Sequence, residues 1–208
     1  CTGRGNLIVA ERGLLVVDRE RLDALNQIDE AVTVATLPSF ALVEPRQMAA
    51  TVKIIPFSVP RGVLNKCLAI AQSGDEPLLR VAPLRPRPVG LVQTQVPGTK
   101  ESVLDKTKEA VDARLAALDC LPARELRCGH NESEIAHAVA DLRGSGCEIV
   151  LVSGASAIVD RRDVVPAGIV AAGGTVEHFG MPVDPGNLIL IARLGSVPVL
   201  GLPGCARS

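Results

Sequence analysis

The sequence predicts a three-layer α/β/α domain with a mainly parallel sheet over residues 88–208, preceded by a smaller β-rich α+β segment over residues 1–87. Two observations predict this fold class. From about Pro88 onward, short apolar runs alternate with amphipathic stretches of helical spacing, which is typical of parallel strands joined by helices. Before that point, strand-like runs follow one another with short connections. The proline-rich stretch APLRPRPVG between them is interpreted as a stiff linker.

In the second region, each element has its own signal. VGLVQT (89–94), ARELRC (123–128), CEIVLVSG (147–154), TVEHF (175–179), LILIARL (188–194) and VPVLGL (197–202) are predicted strands. Helices are predicted over 99–118, from Asn131 onward, and over 163–172. Asn131 and Glu134 have the spacing of a helix N-cap and its capping-box acid. Pro166 fits the first turn of the last of these helices.

In the first region, the strand candidates are LIVA, LLVVD, AVTVATL and TVKIIPFSV. Helices are expected at about 20–27 and 61–72. We found neither an internal repeat nor a low-complexity tract in the sequence.

Composition excludes several classes of function. The 208 residues are 47% hydrophobic with a net charge of −1, which argues against disorder and against general nucleic-acid binding. The chain has three Phe and no Trp or Tyr, so it has few rings on which bases could stack. No apolar run approaches the roughly 20 residues of a membrane helix, and no secretory signal is seen. Six widely spaced cysteines indicate reduced, mostly buried thiols and a cytoplasmic location.

The first distinctive strand exit is TQVPGTKESV. Ligands of open α/β sheets bind beyond the carboxyl ends of the strands. Here Gly98 allows a close backbone approach, Thr99 can cap the following helix, and Lys100 adds a positive charge. Together they suit a phosphate group. The alternative is an ordinary capped helix start.

The second exit is LVSGASAIVDRRDVVPAGIVAAGG. Small residues with two hydroxyls follow the strand: Ser153, Gly154, Ala155 and Ser156. Asp160 and Asp163 then bracket Arg161 and Arg162. A close-fitting ligand pocket is one interpretation. In the other, Asp163 caps the next helix and the arginines neutralise the two acids.

Other residue patterns are weaker signals of function. The loops MPVDPGN and GLPGCARS repeat the small-residue pattern at strand ends, and generic turns explain them about as well. Cys128, His130 and His137 match no zinc-ligand spacing, so no metal site is predicted. His178 is interpreted as a strand residue rather than a catalytic base. The sequence has no G-x-S-x-G elbow, P-loop or G-x-G-x-x-G motif.

Over residues 89–208, the order of these motifs resembles the molybdopterin-binding domain of molybdenum cofactor biosynthesis proteins, the group with the molybdopterin molybdotransferases and the gephyrin E domain. The family's Gly-Gly-x-Ser, Asp-x-Val, Gly-Gly, Pro-Gly-Lys-Pro and Gly-Leu-Pro-Gly-Asn-Pro stretches occur in this order. The matching stretches are Gly154 to Ser156, Asp163 to Val165, Gly173-Gly174, Pro185 to Leu188 and Gly201 to Ala206. Thr94 extends the match to the family's first strand exit.

The resemblance implies a three-layer α/β fold that binds molybdopterin, or its adenylated form, as ligand or substrate, with Mg²⁺ and molybdate as further ligands. Asp163 is the implied catalytic residue, and no resident metal is expected. The implied binding residues are Thr94, Gly98, Thr99, Lys100, Ser153, Gly154, Ala155, Ser156, Asp160, Arg162, Asp184, Pro185, Gly186, Asn187, Gly201, Pro203 and Gly204.

The sequence also departs from the family pattern. Gln95 and Val96 stand where the family has Gly-Asp, and Pro97 replaces its Glu. Asp184 and Asn187 replace two lysines. His130 and Asn131 replace an expected Asp pair, and Cys205 replaces an Asn. A site for anionic molybdate should gain positive charge, not lose it.

We therefore expect a pterin-binding scaffold in which the charges that handle molybdate are rearranged. Arg161 and Arg162 could compensate for the lost lysines, and Asp184 could simply brace its loop. In this interpretation the pterin-binding residues are kept, and only the residues that would hold molybdate differ from the family pattern.

Three functions are compatible with this sequence. The first is molybdopterin molybdotransferase-like activity. The second is a non-catalytic module that presents the pterin to a nucleotidyltransferase domain downstream in a longer chain, an arrangement that the first residue, Cys1 rather than Met, also suggests. The third is a site for another phosphorylated, nucleotide-like ligand. The family resemblance implies a homo-oligomer. Neither nucleic acid nor a membrane is an expected partner.

Overall fold

The computed structural model describes residues 3–207. The chain divides into two compact units between Leu84 and Arg85. The boundary falls within the proline-rich stretch, between a strand that ends at Pro83 and a strand that begins at Val89.

The N-terminal unit is rich in antiparallel strands. Its strands are β1 (Arg4–Ile8), β2 (Gly13–Val17), β3 (Val32–Thr36), β4 (Leu42–Val43), β5 (Met48–Ile54) and β6 (Leu79–Pro83), and its helices are α1 (Arg19–Asn26) and α2 (Arg61–Gln72). They form two three-stranded sheets, in the orders β1-β5-β3 and β4-β2-β6. The predicted β-rich α+β character is confirmed. The sequence pattern did not predict β4 and β6. A strand was predicted over 51–59, but β5 ends at Ile54.

The C-terminal unit alternates strands and helices. Its elements are β7 (Val89–Gln95), α3 (Glu101–Ala116), β8 (Arg124–Gly129), α4 (Glu132–Gly144), β9 (Ile149–Ser153), α5 (Val164–Ala171), β10 (Thr175–Phe179), β11 (Leu190–Leu194) and β12 (Val197–Leu202), followed by a 3-10 turn at Gly204–Arg207. Each strand and α-helix overlaps an element predicted from the sequence.

These strands form a six-stranded sheet with the order β10-β11-β12-β9-β7-β8. Strands β8, β7, β9 and β12 are parallel neighbours. Strand β11 runs antiparallel to β12, and β10 runs antiparallel to β11. The mainly parallel sheet is therefore confirmed. The chain reverses at the end of the sheet because β10, β11 and β12 are joined by hairpin connections rather than by crossover helices.

The sheet is covered on both faces, which confirms the three layers. Val92 and Val150 pack in one buried cluster with residues of α4 and α5, including Ile169. Leu91 packs in a second cluster with Val111 of α3. Side chains alternate between the faces of a strand, so neighbouring residues Leu91 and Val92 serve opposite layers. This explains why the central strands are continuous apolar runs.

The cysteines only partly match the prediction of mostly buried thiols. The five that lie within residues 3–207 are free: Cys67 and Cys147 are buried, Cys120 and Cys128 are half-buried, and Cys205 is exposed. Cys1 lies outside the described residues. Over residues 3–207, none of the helices has the length and apolarity needed to cross a membrane.

Candidate functional site

A cavity of about 290 Å³ opens where β7 and β9 end and α3 begins. Six predicted binding residues line it: Thr94, Gly98, Thr99, Lys100, Ser153 and Ala155. They come from two stretches more than 50 positions apart in the sequence. The pairing of β7 with β9 brings these stretches together, because parallel neighbours end at the same edge of the sheet.

The turn before α3 is closed by its own hydrogen bonds. Val96 N donates to Thr99 Oγ1 at 3.0 Å, and Thr99 N donates to Val96 O at 3.0 Å. Gly98 has a φ of +89°, which a residue with a side chain rarely adopts. The predicted capping of the helix by Thr99 is therefore wrong, because its hydroxyl is engaged with the preceding turn.

Lys100 occupies the N-cap position of α3 without making a side-chain capping hydrogen bond. The first N–H groups of a helix have no partner within the helix and carry partial positive charge. The exposed Lys100 ammonium adds a full charge at the same end. Lys100 and the start of α3 therefore bring positive charge to one side of the cavity.

A chain of hydrogen bonds links the ends of three parallel strands. Ala155 N donates to Thr94 Oγ1 at 2.7 Å, and the same oxygen lies 2.8 Å from His130 Nδ1. His130 Nε2 lies 2.9 Å from Ser156 Oγ. Thr94 is buried, His130 is half-buried and Ser156 is exposed, so the chain leads from the sheet to the surface.

Either tautomer of the His130 imidazole is compatible with these two contacts. With Thr94 as donor to Nδ1, Nε2 carries the hydrogen and donates to Ser156. In the other tautomer, Nδ1 donates to Thr94 and Nε2 accepts from the Ser156 hydroxyl. The second arrangement places a base beside a hydroxyl nucleophile.

His130 is held by the start of α4. Asn131 Oδ1 accepts from Glu134 N at 3.0 Å, which confirms the predicted N-cap. The Glu134 carboxylate accepts from Gly129 N, the residue before the histidine, and from Asn131 Nδ2. The bond from the Gly129 N–H, followed by that from Asn131, lowers the pKa of Glu134 from its ordinary value.

The charged loop before α5 is braced from within. Asp163 Oδ2 accepts from Val159 N at 2.6 Å and from Asp160 N at 2.9 Å, and Asp160 Oδ1 accepts from Arg162 N at 2.7 Å. Asp163 is the N-cap residue of α5, but its side chain makes no capping bond. The predicted N-cap position of Asp163 is thus confirmed, but its carboxylate braces the preceding loop instead of making the capping hydrogen bond. Its catalytic role, and ligand binding by Asp160 and Arg162, stay predictions.

The remaining predicted residues lie elsewhere along the same edge. Asp184, Pro185, Gly186 and Asn187 belong to the hairpin connection between β10 and β11. Strand β11 is two strands from β9, or about 10 Å. The cavity lining does not include this connection, nor Pro203 and Gly204 after β12.

Two of the predicted glycines have packing roles. A Cβ at Gly201 would lie 2.7 Å from Ile158 Cδ1 and 2.9 Å from Leu190 Cβ, so this residue belongs to the core. A Cβ at Gly154 would lie 2.9 Å from Ser156 O and 3.8 Å from His130 Cε1. Gly154 thus lets the backbone turn back tightly on itself at Ser156.

Cys128 lies in β8, two residues before His130. Burial, followed by the charge of Glu134, raises the pKa of Cys128 to about 11, so its thiol stays protonated near neutral pH. Within residues 3–207, no cluster of three or more His, Cys, Asp or Glu side chains could hold a metal ion.

The prediction of site residues missed two residues. Gln93 lines the cavity from within β7, and His130 follows β8. A glutamine inside an otherwise apolar strand was a signal for the first. The rule that placed the other site residues at strand exits applies equally to the second.

Comparison with known proteins gave structural likenesses only. No family model matches the sequence, and the curated proteins contain no match. The crystal structure of CinA from Thermoplasma acidophilum, described as a protein of unknown function, covers 59% of this chain and 90% of that one, at 12% identity and a TM-score of 0.47. The molybdopterin biosynthesis protein MoeA from Pyrococcus horikosii covers 98% of this chain and 70% of that one, at 12% identity and a TM-score of 0.41.

Proposed function

We propose that the C-terminal unit binds molybdopterin or its adenylated form in molybdenum cofactor biosynthesis. The observation that supports this most directly is the convergence of Thr94, Lys100, Ser153 and Ala155 on one cavity. These residues match, or lie beside, the motifs through which the sequence resembles the molybdopterin-binding domain.

The cavity has the chemistry that a phosphorylated ligand requires. The N–H groups at the start of α3, which the N-cap side chain does not bond, the Lys100 ammonium and several hydroxyls are suitable partners for a phosphate. The aliphatic side chains of Val103 and Leu104 supply apolar wall. A flat ring can pack against such a wall while its phosphate stays at the positively charged side of the cavity.

The cavity fits Mg²⁺ and molybdate less well. None of the lining residues is an acid, so the cavity offers no carboxylate to Mg²⁺. Lys100 is the single cationic side chain in that lining. We therefore assign the cavity to the pterin and its phosphate and derive no step that involves molybdate.

Titration of the purified protein with molybdopterin and with its adenylated form tests the proposal, with the fluorescence of the pterin as the signal. The chain has no Trp or Tyr to interfere. We expect Lys100→Ala and Ser153→Ala each to weaken binding by about three- to tenfold, because each removes one polar group from the cavity lining.

Two matched variants serve as controls. Lys106→Ala removes an exposed lysine further along α3, and Ser196→Ala removes an exposed hydroxyl at the opposite edge of the sheet. Both should bind as the wild type does. If neither pterin binds to the wild-type protein, the proposal is wrong.

A second candidate function is hydrolysis of the adenylated ligand, favoured by the 2.9 Å contact between His130 Nε2 and Ser156 Oγ. In this reaction His130 accepts the Ser156 proton as Oγ bonds to phosphorus, and the bond from phosphorus to the departing phosphate breaks. Water then attacks the same phosphorus, the bond from phosphorus to Ser156 Oγ breaks, His130 returns its proton to Oγ, and the proton of the water passes to solvent. His130→Ala should abolish turnover of the adenylated ligand but retain its binding. Turnover that persists in this variant would contradict the assignment.

A further inference from the structure

We propose that Gln93 Oε1 accepts a hydrogen bond from the N–H edge of the ligand ring and thereby selects the ligand. This inference rests on the proposed function and adds the residue that recognises the heterocyclic ring by a hydrogen bond. The chemistry it recognises is a ring N–H or an amino group beside a ring nitrogen. Pterins and guanine share this chemistry.

The Gln93 side chain is held in one orientation. It is 1% exposed, and its Nε2 donates to Leu104 O at 2.8 Å and to Glu125 Oε1 at 2.7 Å. Both partners are acceptors. An exchange of the amide oxygen and nitrogen would place a carbonyl oxygen against these two oxygens, so the observed orientation is the favourable one.

This orientation leaves the amide oxygen without a partner. Within residues 3–207, Gln93 Oε1 is the one fully buried side-chain oxygen or nitrogen that lacks a hydrogen bond. A buried acceptor without a donor destabilises the folded protein, and such groups are rare in native structures. The residue that bears it lines the cavity at the end of β7.

Two donors of the cavity lining already have acceptors of their own. The Thr107 hydroxyl donates to Val103 O at 2.9 Å, and Ala155 N donates to Thr94 Oγ1. None of the residues 3–207 donates a hydrogen bond to Gln93 Oε1, so we place its partner on a molecule inside the cavity. With Lys100 at the same cavity, the ligand that satisfies both groups is a heterocycle with an N–H edge at one end and an anionic group at the other.

The test compares ligands that differ only at the N–H edge. The probes are 6-hydroxymethylpterin monophosphate, its 2-desamino analogue and its N3-methyl analogue, each titrated against the full chain by fluorescence. We expect at least one analogue to bind the wild type about tenfold or more weakly than the parent, because it leaves the buried oxygen unpaired. If both analogues bind within threefold of the parent, the inference is wrong.

Variants of the protein separate hydrogen bonding from steric fit. Gln93→Met removes the amide acceptor at similar side-chain length, and we expect the tenfold discrimination to fall below about threefold. Gln95→Met, at the last position of β7 and outside the cavity lining, should discriminate as the wild type does. Discrimination that persists in Gln93→Met would assign the effect to bulk and overturn the inference. Should that variant not fold, the wild-type comparison alone decides.

The outcomes also distinguish this inference from the proposed function. Binding of all three pterins with equal affinity leaves the pterin site in place and rejects the role of Gln93. Guanosine monophosphate, titrated in parallel by calorimetry, identifies the source of the N–H edge. If guanosine monophosphate alone binds and Gln93→Met abolishes its binding, Gln93 retains its role and the pterin proposal fails. If no probe binds, both proposals fail.

Discussion

At the scale of single residues, the candidate site is built from polar groups that hydrogen-bond to one another rather than from isolated charges. Thr94 Oγ1 serves both Ala155 N and His130 Nδ1. The sequence identified Thr94 because it ends a strand and matches a family motif. It could not identify the partner histidine by proximity, since 36 positions separate the two residues.

Replacement of Thr94 by Val should lower the free energy of unfolding by about 1–3 kcal/mol, because the nearly isosteric side chain leaves Ala155 N without its acceptor. Thr94→Ser keeps the hydroxyl and should recover most of the loss. Urea unfolding of both variants measures the difference. Equal stability of Thr94→Val and wild type would show that the Ala155 N–H finds another acceptor.

Glu134 should make stability depend on pH in the acid range. Its folded-state pKa is lowered by the bonds from Gly129 and Asn131, so its stabilising contribution is complete above its ordinary pKa and is lost as pH falls through the lowered value. Glu134→Gln removes this dependence. The difference in unfolding free energy between wild type and variant should be constant above about pH 6 and shrink toward pH 3. A difference that is constant down to pH 3 would contradict this account.

At the scale of elements, apolar runs predicted where strands occur but not which way they run. TVEHF and LILIARL become β10 and β11, both antiparallel to their neighbours. An apolar run reports burial, and direction is set by connections that the run does not contain. The start of α4 was predictable because the Asn131 side chain makes the capping hydrogen bond to Glu134 N. The start of α3 was not, because the Thr99 hydroxyl accepts from Val96 N in the preceding turn instead of capping the helix.

The packing of α4 on α5 depends on a glycine. A Cβ at Gly168 would lie 2.7 Å from Ile135 Cβ and 3.1 Å from Glu132 O. Gly168→Ala should therefore cost about 1–3 kcal/mol of stability through overpacking. Gly144→Ala, in α4, meets no atom within 4 Å and should be neutral or stabilising by less than about 1 kcal/mol. Chemical denaturation of the pair gives the comparison, and equal effects would exclude a packing role for Gly168.

At the scale of the whole molecule, each unit has its own hydrophobic core. One cluster is built from residues between Val9 and Val81, and two others from residues between Val89 and Leu202. The change in sequence pattern near Pro88 reflects this division, because antiparallel hairpins and parallel crossovers bury their strands differently.

Residues 85–208 produced alone should fold and bind the pterin phosphate with the affinity of the full chain, within about twofold. The reason is that the cavity and both clusters beneath it are built from this unit. Circular dichroism melting and the same fluorescence titration measure the result. A fragment that is unfolded, or that binds more than tenfold more weakly, would show that the unit depends on residues 1–84.

The reversed direction of β11 has a consequence for how such a site can diversify. The connection before β11 reaches the ligand edge of the sheet although it precedes a strand, and bonds from Gly180 N to Ile189 O and from Met181 N to Asn187 O close its base. Insertions within this closed hairpin leave the registers of the parallel strands untouched. Evolution or an engineer can thus lengthen a loop at the carboxyl edge of the sheet while the sheet itself is inherited unaltered.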